Sequence, residues 1–187
     1  MRKTIITIVI CFLLGLLGVG FWSYFIYESP APPEEEPLPE EEVIVYLFNY
    51  EGYHLQEVTR TVAEAEGLSE RVLQILEEMK YESSENEIIS LLPENLVLQS
   101  VFLDDQIVYL DFNEELIGAA EGSSGEMLFL YSIVNSLIKN LPDQYKLVQF
   151  LVNGETRKTI GPYGEESGHI AIEYPLGPRW NLTESSG

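Results

Sequence analysis

The chain reads as an α+β protein, a mixed β-sheet with two helices packed on one face, preceded by one transmembrane helix. Three observations predict this. The run from Thr4 to Tyr27 is apolar and carries no charge; several short apolar stretches rich in β-branched and aromatic residues are cut by turn residues; and two longer stretches place apolar residues at helical spacing.

The apolar run is long enough to cross a hydrocarbon core of about 30 Å as a helix. Arg2 and Lys3 precede it and Glu28 follows, which by the positive-inside tendency puts the N-terminus in the cytoplasm and the rest of the chain outside. Trp22, Tyr24 and Tyr27 cluster at the outer end, where aromatic rings favour the interface. A cleaved signal would have a shorter apolar region and a small-x-small site, neither of which fits the Phe21 to Tyr27 end. Cys11, the one cysteine, follows Ile8, Val9 and Ile10 rather than the small residue a lipobox needs, and a single thiol builds no disulfide within one chain. Gly15, Gly18 and Gly20 form no GxxxG pair.

Four segments follow: an anchor over 1–28, a spacer over 29–42, a folded domain over 43–160 and a partly ordered extension over 161–187. The spacer holds five prolines and six glutamates, a composition that stays extended and buries little.

Within the domain, Val43 to Phe48 and Tyr53 to Val62 are read as strands joined by a turn. Helix one follows, with Ser69 as N-cap, Leu68 and Leu73 as a hydrophobic staple, and an apolar stripe of Leu68, Val72, Ile75, Leu76 and Met79. The stretch from Glu82 to Leu92 is read as holding a short helical turn. Strands Leu96 to Leu103 and Ile107 to Phe112 flank a tight hairpin at Asp104-Asp105-Gln106. Ser123 and Glu126 have capping-box spacing for helix two, whose stripe is Met127, Leu130, Tyr131, Val134, Leu137, Ile138 and Leu141 before Pro142. A strand from Lys146 to Val152 turns at Asn153-Gly154 and returns over Thr156 to Ile160, with Ile170 to Tyr174 as a further edge strand. Helix two then serves as a right-handed crossover between parallel neighbours.

The formal net charge of −21 disfavours nucleic acid and anionic membrane surfaces as partners. From Val43 to Gly187 the chain holds 24 acidic and 8 basic residues, −16 in all, so the isolated domain is expected to be a monomer at low salt.

The sequence resembles the GerMN domain of bacterial sporulation and germination proteins. The matching pieces, in order, are Val45 to Phe48, Leu92 to Val101, Val108 to Asn113, Gly125 to Leu137 and Val148 to Gly154. The resemblance implies a module outside the cytoplasmic membrane, without known catalytic residues, whose fold is similar to ring-building modules of secretion and sporulation channels. It implies a role in sporulation or germination through envelope assembly with a protein partner; the charge favours a partner of basic character, and the uncharged run engages the cytoplasmic membrane through residues 4–27. The chain departs from the family pattern by carrying Asp104-Asp105-Gln106 where many relatives have a glycine, and by one module behind an anchor.

No residue is assigned as catalytic, cofactor-binding or metal-ligating, and no cofactor is expected. His54 and His169 lie in no metal-binding spacing, and Gly122 to Gly125 lacks the G-x-S-x-G pattern. The acid pairs Asp104 with Asp105 and Glu114 with Glu115, together with Asp111, leave a wall-polymer hydrolase as an alternative, and a small-ligand or cation sensor as another. Tyr174, Leu176 and Trp180 either cover the domain's own core or offer a contact surface.

Overall fold

The apolar run at Val43 is the centre of a longer strand, β1 (Glu40–Asn49), buried at Val43 and from Val45 to Phe48. Burial at consecutive positions means that both faces of β1 are covered, which is why its sequence does not alternate. This is a computed structural model that describes residues 14–15, 21–22, 39–51, 53–82, 88–164 and 166–183. The chain divides into two units, Met1–Pro37 and Leu38–Gly187. In the first, Leu14, Gly15, Phe21 and Trp22 are helical. Among the described residues no helix is long and apolar enough to cross a membrane. The expected span over 4–27, Cys11 and most of the spacer lie outside them.

The second unit begins inside the expected spacer, because Glu40, Glu41 and Glu42 pair with Ala63, Val62 and Thr61. Pairing is possible for so acidic a stretch because the Glu41 carboxylate is held by the Arg71 guanidinium and accepts the Ala65 N–H at 3.2 Å. Strand β2 (His54–Ala63) runs antiparallel to β1 in ten-residue register. Helix α1 (Leu68–Glu78) starts one residue before the expected cap: Gly67 is the N-cap, and Ser69 lies in the first turn without a capping bond. The staple is absent too, since Leu73 is 50 % exposed. Val72, Ile75, Leu76 and Met79 are buried as the spacing predicts. Residues 83–87 of the stretch expected to hold a helical turn lie outside the described residues, and Ile88–Ile89 forms a short strand, β3, opposite Phe48 and Asn49 of β1.

β4 (Leu98–Asp104) and β5 (Ile107–Phe112) form the expected hairpin, with Asp105 at φ 48°. Aspartate tolerates this left-handed geometry better than most residues, so the turn closes without a glycine. Helix α2 (Gly122–Asn140) then leads to β6 (Leu147–Val152), which pairs parallel to β5 from Ile107↔Leu147 to Phe112↔Val152.

The single mixed sheet is corrected to two three-stranded sheets, ordered β2-β1-β3 and β4-β5-β6. Helix α2 explains the split. Its Asn140 accepts the Ile44 N–H at 2.8 Å and donates to the Ile44 carbonyl at 2.6 Å, while Ser136 Oγ accepts the Tyr46 N–H at 2.8 Å. Side chains of a helix thus occupy the edge of β1 where another strand would pair. Both helices contact strands of both sheets, and one apolar core is shared. The expected stripe on α2 is too narrow: Leu128, Phe129 and Ile133 are buried as well, along with Ser132, Asn135 and Ser136.

Neither Thr156 to Ile160 nor Ile170 to Tyr174 is a strand. After the Asn153-Gly154 turn a single bridge joins Val152 and Glu155, and the chain then wraps the domain as a strap. Gln149 donates to the Ile172 carbonyl at 2.7 Å, Val148 and Leu176 exchange two backbone bonds of 2.8 Å, and Thr183 bridges to Leu55 of β2. These ties are single and widely spaced, so they form no ladder. Ile172 of the strap is fully buried, Tyr174 stays exposed, and the Trp180 ring lies tilted against Tyr46 with centroids 6.0 Å apart.

Asn140→Ala leaves both backbone groups of Ile44 without their partner. A loss of roughly 1–3 kcal/mol in unfolding free energy is expected by denaturant titration, and a change within error would refute the bridging role. Burial, followed by its hydrogen bond to Glu57 at 3.0 Å, pushes the Tyr46 phenol well above the ordinary tyrosine value. A raised folded value means that this contribution to stability is complete below about pH 10 and is lost as pH rises further. Tyr46→Phe should therefore show a shallower loss of stability above pH 10 than the parent; coincident slopes would show that Tyr46 does not contribute.

Candidate functional site

The acidic side chains that the sequence singles out are dispersed. Asp104 and Asp105 are exposed at the hairpin tip. Asp111 points the other way from its neighbours on β5, is nearly buried and accepts the Gly154 N–H at 2.7 Å. It therefore serves the turn after β6. Glu114 and Glu115 follow β5 in a short 3₁₀ turn, Glu114–Leu116. Glu114 accepts from Asn153 at 3.4 Å and Glu115 from Asn95 at 2.6 Å, so the adjacent carboxylates diverge onto separate partners. His54 opens β2, half-buried opposite Asn49. Ser123 and Ser124 are exposed in the first turn of α2.

An open cleft of about 530 Å³ is lined by Glu114, Glu115, Ile117, Val152, Arg157, Thr159, Gly161, Pro162 and Gly164. It places a guanidinium, two carboxylates and a hydroxyl on one rim, a set suited to holding a small polar ligand. The loop that forms its far wall is closed by backbone contact. A Cβ on Gly161 would meet the Gly168 nitrogen at 2.1 Å, so no larger residue fits there. Lys158 ties the same loop to Glu166 at 2.7 Å and holds that carboxyl below its usual value through the hydrogen bond and its charge. Arg157 and its loop are the part of this cleft that the sequence does not reveal, because the composition of Thr156 to Ile160 reads as a strand.

The capping-box assignment of Glu126 is overturned. Glu126 is 1 % exposed, and α2 begins at Gly122 with Glu121 as a cap that makes no side-chain bond. Its carboxylate instead accepts the N–H groups of His169 and Ile170 at 2.6 and 3.0 Å and contacts His169 Nδ1 at 3.1 Å. A buried charge needs several partners, and the strap supplies them. Among the described residues, no group of three or more His, Cys, Asp or Glu side chains is placed to hold a metal ion.

Residues 44–158 match the model of the family described as Germane, sporulation and spore germination. The chain belongs to this family. Its fold is similar to that of the tandem GerMN domains of the sporulation protein GerM from Bacillus subtilis, at 24 % identity, with a TM-score of 0.57 over 83 % of this chain and 50 % of that one. The first GerMN domain of the same protein matches at 20 % identity and a TM-score of 0.51, over 71 % of this chain and 96 % of the domain. A putative lipoprotein from Clostridium perfringens matches at 16 % identity and a TM-score of 0.52, over 76 % and 92 %. Among curated proteins none matches the sequence significantly. The chain therefore spans about half the tandem GerM structure, and the resemblance to the GerMN domain read from the sequence is confirmed.

If Glu126 holds the strap, Glu126→Gln should destabilise the domain by roughly 1–3 kcal/mol and speed amide exchange at His169 and Ile170. His169→Ala, at a half-exposed ring, should cost less than about 1 kcal/mol. Equal effects of the two changes would assign the stabilisation to the contact with the His169 ring rather than to the backbone bonds.

Proposed function

We propose that this protein is a membrane-anchored, extracytoplasmic interaction module of the cell envelope, non-catalytic and acting in sporulation or germination. The observation that carries the reading is a Germane domain following an uncharged run of membrane-spanning length, Thr4 to Tyr27, with Arg2 and Lys3 on its N-terminal side. The likeness to a sporulation protein and to a putative lipoprotein supports an envelope location for this chain as well. Divergence of Glu114 and Glu115 onto Asn153 and Asn95 weighs against a paired-carboxylate hydrolase. The open cleft at Arg157 favours a second reading, a small-ligand sensor, for which a thermal shift with wall fragments is the test.

Protease added to intact protoplasts should remove the folded domain and leave a small membrane-bound stub. Complete protection would reverse the orientation, and release of a soluble domain without protease would mean a cleaved signal. A fragment beginning at Leu38 should sediment as a monomer at low salt, because copies of so acidic a domain repel one another. A stable oligomer in low salt would show an interface strong enough to overcome that repulsion.

A further inference from the structure

The edges of the two sheets are treated differently. β2 is met by Thr183 at one end, and near the other Arg60 bonds the carbonyls of Tyr81 and Glu82. The outer side of β6 is bridged by Leu176, and β1 is flanked by β3, Ser136 and Asn140. β4 ends its sheet, and among the described residues neither a strand nor a bridge lies on its outer side. Its register against β5 fixes what that side presents. Asp104↔Ile107 closes a two-residue hairpin and is the hydrogen-bonded pair, so by alternation Val101 and Leu103 direct their N–H and C=O groups outward.

Proteins blunt exposed edges with lysine, proline or bulges. Leu98–Asp104 holds no proline or lysine, and its one register shift lies at its start, between Leu98 and Ser100. Phe102 stands 55 % exposed on this strand, with Val97, just before it, 53 % exposed. Beside the start of β4 lies a groove of about 160 Å³, whose walls include Leu73, Leu76, Leu96, Val97, Leu98 and Phe112. That volume suits one aliphatic or aromatic side chain.

Charge decides what can lie there. Glu94 precedes the strand and Asp104 and Asp105 end it, all three exposed, while Lys80 on the groove rim is bonded to Glu77 at 2.8 Å. A second copy brings the same acids, and an anionic lipid or nucleic acid is repelled. We propose that the outer edge of β4 accepts an extended, basic segment of a partner protein as a fourth strand, with one apolar side chain seated in the groove beside α1. This rests on the reading of the protein as an interaction module and names the surface and the partner chemistry. Backbone bonds to Val101 and Leu103 would supply affinity, and the groove and the flanking acids selectivity.

The test uses the full-length protein in detergent micelles with a fluorescein-labelled peptide, Lys-Leu-Lys-Val-Lys-Leu-Lys, and its counterpart with glutamate for lysine. The basic peptide should bind, less tightly as salt rises, and should slow amide exchange at Val101 and Leu103. Phe102→Lys and Val97→Lys, both at exposed side chains, should each weaken binding about tenfold without lowering the melting temperature. Undiminished binding by both variants, slowed exchange elsewhere only, equal binding of the acidic peptide or no binding at all would overturn the assignment. So would self-association that cross-links through β4. If the Phe102→Lys protein is still captured in a partner complex in cells at the parent level, the interaction-module reading stands and this edge is not its surface.

Discussion

The pairing of α2 with the edge of β1 is the constraint on which the rest of the domain depends. A strand in mid-protein must have its N–H and C=O groups satisfied on both sides, because a buried orphan costs about as much as a hydrogen bond gains. On one side β1 has β2; on the other, β3 covers only Phe48 and Asn49. Asn140 satisfies both backbone groups of Ile44, and Ser136 accepts the N–H of Tyr46. With that edge closed by a helix, the two sheets stay separate and share a core instead of a ladder. The same helix reaches the strap with Asn135, which accepts the Arg179 N–H at 2.9 Å and donates to its carbonyl at 3.1 Å.

Much of this was legible in the residues. The β1–β2 pair, the face of α1 and the β4–β5 hairpin follow from period, length and turn chemistry, and the parallel β5–β6 pair from the helix between them. The errors share a cause. The capping-box spacing puts Glu126 at the surface, and the apolar stripe leaves out Asn135 and Ser136, yet each is buried because a backbone segment distant in sequence satisfies it. Polarity reports the cost of burial, not whether a partner exists. Likewise the acids of Glu40–Glu42 were read as spacer, since nothing near them in sequence announces Arg71 or the register with β2. The irregular strap could not be read as strand or helix because its bonds to the domain are single and unevenly spaced.

The candidate site was legible only by half. Glu114 and Glu115 stand out in the sequence, but their divergence depends on Asn95 and Asn153, and the cleft wall depends on a loop closed by Gly161 against Gly168. Carboxylate spacing along a chain says little about direction when the pair sits in a tight turn.

The strap bears on where this domain ends as a unit of folding. The family match stops at residue 158, yet Ile160 and Ile172 complete the core and the partners of Glu126, Asn135 and Gln149 lie between His169 and Arg179. A recombinant chain trimmed to the family boundary would lose the strap bonds of Glu126, Asn135 and Gln149, at roughly 1 kcal/mol each, together with the apolar cover that Ile160 and Ile172 give the core. Against a typical total stability of about 5–15 kcal/mol, losses of that size are a large share of what holds the domain folded. The smallest autonomous version of this domain therefore runs from the start of β1 through Thr183, some 25 residues beyond the segment by which it is recognised.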